Sequence, residues 1–136
     1  MIKLIVGVRG TGKTKMFIEL VNEALQVSSG KVVCIEKEQK LKFDVKHQAR
    51  LVDTTEYSIC GADALYGLIC GIHARDYDTT HIFIDSALKM CAEDLEDFAK
   101  FLKLADKISD KNNFKCIITA SVAPEDLPEE IIKYTE

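Results

Sequence analysis

The side chains best suited to chemistry stand together near the start of the chain, in a segment that we call the glycine loop (residues 7–14). The pattern G-x-x-x-x-G-K-[ST] is matched there by Gly7-Val8-Arg9-Gly10-Thr11-Gly12-Lys13-Thr14. Its glycines let the backbone curve closely around an anion, so that N–H groups point at phosphate oxygens. Lys13 is expected to contact the β- and γ-phosphates, and the Thr14 hydroxyl to ligate Mg²⁺. The sequence therefore predicts a site for a nucleoside triphosphate with Mg²⁺.

A second candidate is Asp85, which directly follows the apolar run 82–84. A carboxylate at the end of a buried strand can help to hold the Mg²⁺ of a nucleotide through water, here opposite the Thr14 hydroxyl. The alternative is an aspartate that only terminates a strand. Its position downstream of a glycine loop favours the metal-binding interpretation.

The segments around these residues alternate between strand and helix patterns. Strands are predicted at 2–6, 31–35, 51–52, 81–85 and 115–120, and helices at 13–27, 62–74, 92–108 and after Pro128. Right-handed crossovers between such units predict an α/β fold, a three-layer α/β/α sandwich around a mainly parallel sheet of four to five strands. Ligands of such sheets bind beyond the carboxyl ends of the strands, where the glycine loop follows the first one.

Length and composition set limits on the class of protein. The 136 residues predict one domain spanning 1–136, and the net charge of −4 argues against a broad nucleic-acid-binding surface. No apolar run approaches the ~20 residues that a membrane-spanning helix needs. The five cysteines form no C-x-x-C pair, so neither a zinc site nor a disulfide framework is indicated. Together these features predict a cytoplasmic protein.

The segment 36–50 is the least regular part of the chain, with five Lys or Arg residues against three acidic ones. It predicts a loop or flexible insertion. Its basic residues could meet an anionic substrate or a nucleic-acid strand, but a solvated loop is the more common meaning of such a run. These residues are Lys37, Lys40, Lys42, Lys46, His47 and Arg50.

With the glycine loop and Asp85 in these positions, the chain resembles a minimal P-loop NTPase core over nearly its whole length. Two strand–helix units separate the loop from the Asp85 strand, which is similar to the ASCE division (RecA-like and AAA+ proteins and helicases). In that division the strand after the Mg²⁺-binding one inserts beside the first strand and ends in a polar sensor. The resemblance implies that this strand is 115–120 and that Thr119 or Ser121 contacts the γ-phosphate or the attacking water. Because the chain has no guanine-reading N/T-K-x-D motif, ATP is the expected nucleotide.

One departure from the family concerns the catalytic base. Most ASCE enzymes carry a glutamate directly after the Mg²⁺-binding aspartate to polarise water, whereas this chain has Ser86. Some RecA-like proteins place that glutamate at the end of the strand after the first helix. The resemblance then implies Glu36 or Glu38 as the base, with Glu36 ahead on position, and a solvated charged loop is the alternative.

The resemblance implies an ATP- and Mg²⁺-binding protein with weak or partner-dependent ATPase activity. Such cores often borrow an arginine from a protein partner or from another copy in a homo-oligomer. A non-enzymatic, nucleotide-gated adaptor is the first alternative. The second is a small-molecule kinase similar to thymidine kinases, but that family has a glutamate after the aspartate and a cysteine-bearing zinc lasso, both of which this chain lacks.

Overall fold

A computed structural model of the protein describes residues 1–41, 44–46 and 48–135. Its centre is one sheet of five strands: β1 (Ile2–Gly7), β2 (Lys31–Glu36), β3 (Arg50–Asp53), β4 (Thr79–Ile84) and β5 (Lys115–Ser121). The strand order is β1-β5-β4-β2-β3, and every neighbouring pair is parallel. The predicted α/β fold is confirmed, with a sheet that is parallel throughout.

Helices cover both faces of this sheet. They are α1 (Lys13–Val27), α2 (Ala62–Arg75), α3 (Ala87–Met90), α4 (Leu95–Asn112) and α5 (Glu129–Ile132). Alternate residues of β2 separate the two sides, since Val32 and Cys34 pack with α1 while Val33 and Ile35 pack with α2 and α4. The arrangement is compatible with a three-layer α/β/α sandwich.

The largest difference from the sequence prediction lies after β4. A single helix was expected over 92–108, but the short helix α3 comes first and α4 begins only at Leu95. Ala92 and Glu93 have positive φ values of 56° and 60°, which interrupt the helix. The Asp94 side chain then accepts hydrogen bonds from the N–H groups of Glu96 and Asp97, at 3.0 and 3.2 Å, and so fixes the start of α4.

The carboxyl ends of the strands lie along one edge of the sheet. Gly7 pairs with Ser121 at the ends of β1 and β5, and Ile84 of β4 pairs with Ile118. The position of β5 between β1 and β4 agrees with the expected insertion of the strand 115–120 beside the first strand. The segments that follow β1, β2, β4 and β5 therefore converge at this edge.

The segment between β2 and β3 contains neither helix nor strand among its described residues, which confirms the predicted loop. It is not simply solvated, because Leu41, Val45 and Ala49 are buried against the α1 side of the core. Lys42 and His47, two of its basic residues, lie outside the described part of the chain. None of the helices in that part combines the length and apolar character needed to cross a bilayer.

Candidate functional site

The glycine loop joins β1 to α1 and curves around an open concavity. Gly10 and Gly12 have φ values of +86° and +84°, a region that side-chain-bearing residues rarely adopt. Both the Thr11 hydroxyl and the Lys13 ammonium donate hydrogen bonds to the carbonyl oxygen of Val8, at 2.8 and 2.9 Å. The second of these bonds holds the Lys13 side chain across the loop.

Helix α1 begins without a side-chain cap, unlike α4. Its N-cap residue is Gly12, and the first hydrogen bond of the helix runs from the N–H of Met16 to the carbonyl of Gly12 at 3.1 Å. The N–H groups that precede Met16 in the helix therefore have no intrahelical acceptor. Together with the helix dipole, they offer a binding site for an anion.

A cavity of about 460 Å³, which we call the phosphate cavity, opens beside the glycine loop at the carboxyl edge of the sheet. Five predicted nucleotide-binding residues line it from the loop side, namely Arg9, Gly10, Gly12, Lys13 and Thr14. Four further predicted residues line it at or just after the carboxyl ends of the strands, namely Glu38, Asp85, Thr119 and Ser121, so both candidate sensors lie there. The structure thus brings the loop, the candidate metal ligands and one candidate base to one place.

The remaining glycine-loop residues, Gly7, Val8 and Thr11, line a second cavity of about 450 Å³, which we call the apolar cavity. Its opposite wall is formed by residues 123–125, and Lys13 lines both cavities. Two large apolar side chains are exposed here, Val8 at 52% and Met16 at 48%. A ligand could therefore place a charged group in the phosphate cavity and an apolar one in this second cavity.

Asp85 is held in a fixed orientation. Its N–H donates to the carbonyl of Ile35 at 2.9 Å, and its Oδ1 accepts a hydrogen bond from the Thr119 hydroxyl at 2.7 Å. The same hydroxyl accepts from the N–H of Ser86 at 2.9 Å. Thr119, predicted as a phosphate sensor, thus gives its proton to Asp85, while Asp85 Oδ2 has no hydrogen bond to any described residue.

The two candidate bases occupy different positions. The Glu36 side chain does not line the phosphate cavity; the residue is only 3% exposed, and its Oε1 accepts hydrogen bonds from the N–H groups of Lys40 and Leu41 at 2.8 and 3.0 Å. Burial raises the pKa of Glu36, although these two N–H groups oppose the shift. Glu38 is exposed and lines the cavity. The geometry favours Glu38 as the glutamate that can reach a water there, and Glu36 as the one that organises the turn.

Lys13 and Asp85 are close enough to interact electrostatically. Burial lowers the pKa of Lys13, and the nearby Asp85 carboxylate opposes that shift. Within the described ranges, no three His, Cys, Asp or Glu side chains are grouped as a metal site. Mg²⁺ in a nucleotide site does not need such a group, because it is held by a hydroxyl, one or two carboxylates, phosphate oxygens and water.

Asp85→Asn is expected to reduce the enhancement of ATP binding by Mg²⁺, while ATP without metal still binds. The reason is that Asp85 is the expected ligand of Mg²⁺, whereas the amide groups of the glycine loop are expected to contact phosphate. Thr119→Val should give a smaller loss of the same kind, because it removes the hydroxyl that binds Asp85 Oδ1 and the N–H of Ser86 but keeps the Asp85 carboxylate itself. Calorimetric titration with and without Mg²⁺ measures this, and an equal Mg²⁺ enhancement in Asp85→Asn and wild type would remove Asp85 from the site.

Sequence reasoning missed two lining residues, Leu41 and Lys89, and gave two others a different role. Lys37 and Lys40 line the phosphate cavity, although a solvated loop was favoured for them. Lys89 also lines it and carried no sequence assignment. No helical spacing relates it to Asp85, because α3 begins only at Ala87 and Ser86 has a left-handed backbone, with φ 61°.

No protein-family model matches this chain, and no curated protein has significant sequence similarity to it. The residues of the site and their geometry are therefore the basis for any functional proposal.

Proposed function

We propose that this chain binds ATP with Mg²⁺ as a P-loop NTPase of the ASCE type, and that it hydrolyses ATP weakly or only with a partner. The observation that carries this proposal is the joint lining of one cavity by the uncapped start of α1, Lys13 and Asp85. An uncapped helix start and a lysine suit phosphate, and an oriented carboxylate with a free oxygen suits Mg²⁺.

Each residue then has a definite task. The N–H groups of the glycine loop and of the first turn of α1 bind phosphate oxygens, and Lys13 leaves the Val8 carbonyl to bind the β- and γ-phosphates. The Thr14 hydroxyl and the Asp85 carboxylate are suited to Mg²⁺, which when bound neutralises charge on these phosphates. Thr119 keeps the Asp85 carboxylate in place for this role.

The apolar cavity offers a position for the base. It shares Lys13 with the phosphate cavity, and Val8 and Met16 expose apolar surface in it. An aromatic base placed there would cover that surface while its phosphates reach the glycine loop. Because each Å² of apolar surface removed from water is worth about 25 cal/mol, this contact is expected to raise the affinity by about tenfold.

Titration with MgATP and with magnesium tripolyphosphate tests both parts of this proposal. Both ligands should bind, and MgATP should bind about tenfold more tightly because only it has a base. Met16→Gln should reduce the advantage of MgATP and leave tripolyphosphate unaffected. Failure of both ligands to bind contradicts the nucleotide site, whereas equal affinities contradict only the base position.

A non-enzymatic, nucleotide-gated adaptor is the second candidate function, and two features of the site favour it. The residue after Asp85 is a serine in place of a glutamate. The Glu36 carboxylate already accepts hydrogen bonds from two backbone N–H groups, those of Lys40 and Leu41. Nucleotide binding is thus better supported than hydrolysis. The two functions differ in ATP turnover.

A further inference from the structure

The phosphate cavity carries more positive charge than a bound nucleotide needs. It is lined by five cations and two carboxylates, a net charge of +3 in a chain whose net charge is −4. The cations are Arg9, Lys13, Lys37, Lys40 and Lys89. The complex of Mg²⁺ with a triphosphate carries about two negative charges, and Lys13 with the loop amides is the usual set of groups that holds it. The remaining four cations are therefore available to bind a second anion.

These remaining cations are largely free of partners. Lys40 lies 3.9 Å from a carboxylate oxygen of Glu38. Counting only the residues described by the structure, Arg9, Lys37 and Lys89 have no carboxylate within 4 Å. Cations that line a cavity without a carboxylate partner are available to an anionic ligand.

Two of the free cations stand away from the strand that carries the glycine loop. Lys37 directly follows β2, and Lys89 lies on α3, just after β4. The order β1-β5-β4-β2 places the ends of β4 and β2 two and three strands from β1. At about 4.8 Å per strand, this is roughly 10 and 14 Å. The lysines therefore line the part of the cavity away from β1, with Lys89 near Asp85 at the end of β4 and Lys37 one strand further on.

The backbone around Lys37 is fixed by hydrogen bonds and by a buried side chain. Glu36 accepts the N–H groups of Lys40 and Leu41, and the N–H of Glu38 donates to Asp53 Oδ1 at 2.9 Å. Leu41 is buried in the core at 2% exposure. The turn is thus fixed on both sides of Lys37. The buried Glu36 carboxylate therefore fixes the turn that carries Lys37 and Lys40.

Lys89 is fixed by different means. Its neighbours Leu88 and Met90, with Ala87, are buried in the core and hold α3 against the sheet. Helix α3 follows Asp85 and Ser86 directly, so Lys89 and the candidate metal ligand are carried by one short, packed segment.

We propose that Lys37 and Lys89 bind the phosphate group of a second small molecule, beside the nucleotide and in the same cavity. This inference rests on the proposed function, because the glycine-loop half of the cavity is assigned to the triphosphate. The cavity of about 460 Å³ lies in the range that accommodates whole small ligands, whereas a nucleotide with its base in the apolar cavity places only its phosphates here. Lysine ammonium groups are common ligands of phosphate.

The test is a calorimetric titration of inorganic phosphate into protein saturated with Mg²⁺ and a fluorescent, non-hydrolysable ATP analogue, at low ionic strength. Wild type should bind phosphate without releasing the analogue. The double variant Lys37→Gln/Lys89→Gln should bind phosphate at least about tenfold more weakly, because two charge-assisted contacts are lost. Its affinity for the analogue should stay within about twofold of wild type. The control is Lys103→Gln/Lys107→Gln, which removes the same charge from exposed positions of α4 and should behave as wild type.

Several results would overturn the second phosphate site. They are the absence of phosphate binding to the analogue-loaded protein, phosphate that only displaces the analogue, and unchanged phosphate binding in the double variant. A parallel loss of analogue affinity would show that the lysines serve the triphosphate instead. If wild type does not bind the analogue at all, the proposed function fails, and this inference fails with it; binding of the analogue without phosphate overturns this inference alone.

Discussion

Replacement of Lys13 by alanine is expected to lower the affinity for MgATP by about a hundredfold or more. The ammonium group is the one charged donor of the glycine loop that the proposal assigns to both the β- and γ-phosphates, and charge-assisted hydrogen bonds are each worth roughly 1.5–3 kcal/mol. Thr14→Ala should have a smaller effect, because water can replace one hydroxyl ligand of Mg²⁺. Calorimetric titration with MgATP measures both variants.

The fold should survive the Lys13→Ala change. The hydrogen bond from the Lys13 ammonium is to the Val8 carbonyl, in an exposed part of the loop, and surface changes of this kind usually alter stability by less than about 0.5 kcal/mol. Thermal unfolding should therefore match wild type. Lys15→Ala is the matched control, since it removes the same charge two residues further along α1 from an exposed position. Unchanged MgATP affinity in Lys13→Ala would contradict the nucleotide site.

The parts of the molecule that depend on local chemistry could be predicted from the sequence. Helix α1 spans Lys13–Val27 as expected, because apolar residues recur along one face and Ser28-Ser29-Gly30 ends the pattern. Asp85 was expected as the last residue of a strand over 81–85, and it directly follows β4, because apolar strands buried on both faces are readily recognised.

What could not be predicted depends on contacts between distant segments. The hydrogen bond from Thr119 to Asp85 requires the parallel register of β4 with β5, which no short pattern encodes. The role of Glu36 depends in the same way on Leu41, whose burial against the α1 side of the core brings the turn back to the carboxylate. A charged run that appears solvated in the sequence therefore becomes a fixed wall of the cavity.

Hydrolysis of ATP by the isolated chain is expected to be far slower than the turnover of about 1–10³ s⁻¹ that is typical of enzymes. The residue after Asp85 is Ser86, which cannot act as the water-polarising base that a glutamate provides at this position in most ASCE enzymes. Arg9 is the one arginine among the described residues that line the phosphate cavity, and it belongs to the glycine loop. An arginine supplied by a partner is worth about 10³–10⁵ in rate where it is used. Phosphate release by the purified monomer, measured at saturating MgATP, gives this rate.

Glu38→Gln should lower any residual turnover by about a hundredfold, the lower range of what a general base contributes, without weakening MgATP binding. A base acts on the attacking water and not on the bound nucleotide, and Glu38 is the glutamate whose side chain lines the cavity. Glu36→Gln is the control, because glutamine keeps an oxygen that can accept the N–H groups of Lys40 and Leu41 and so preserves the turn. Loss of turnover in Glu36→Gln alone would return the role of base to Glu36, as its position in the sequence first suggested. Turnover that neither change affects would exclude both glutamates, and rapid turnover by the monomer would show that the chain needs no partner.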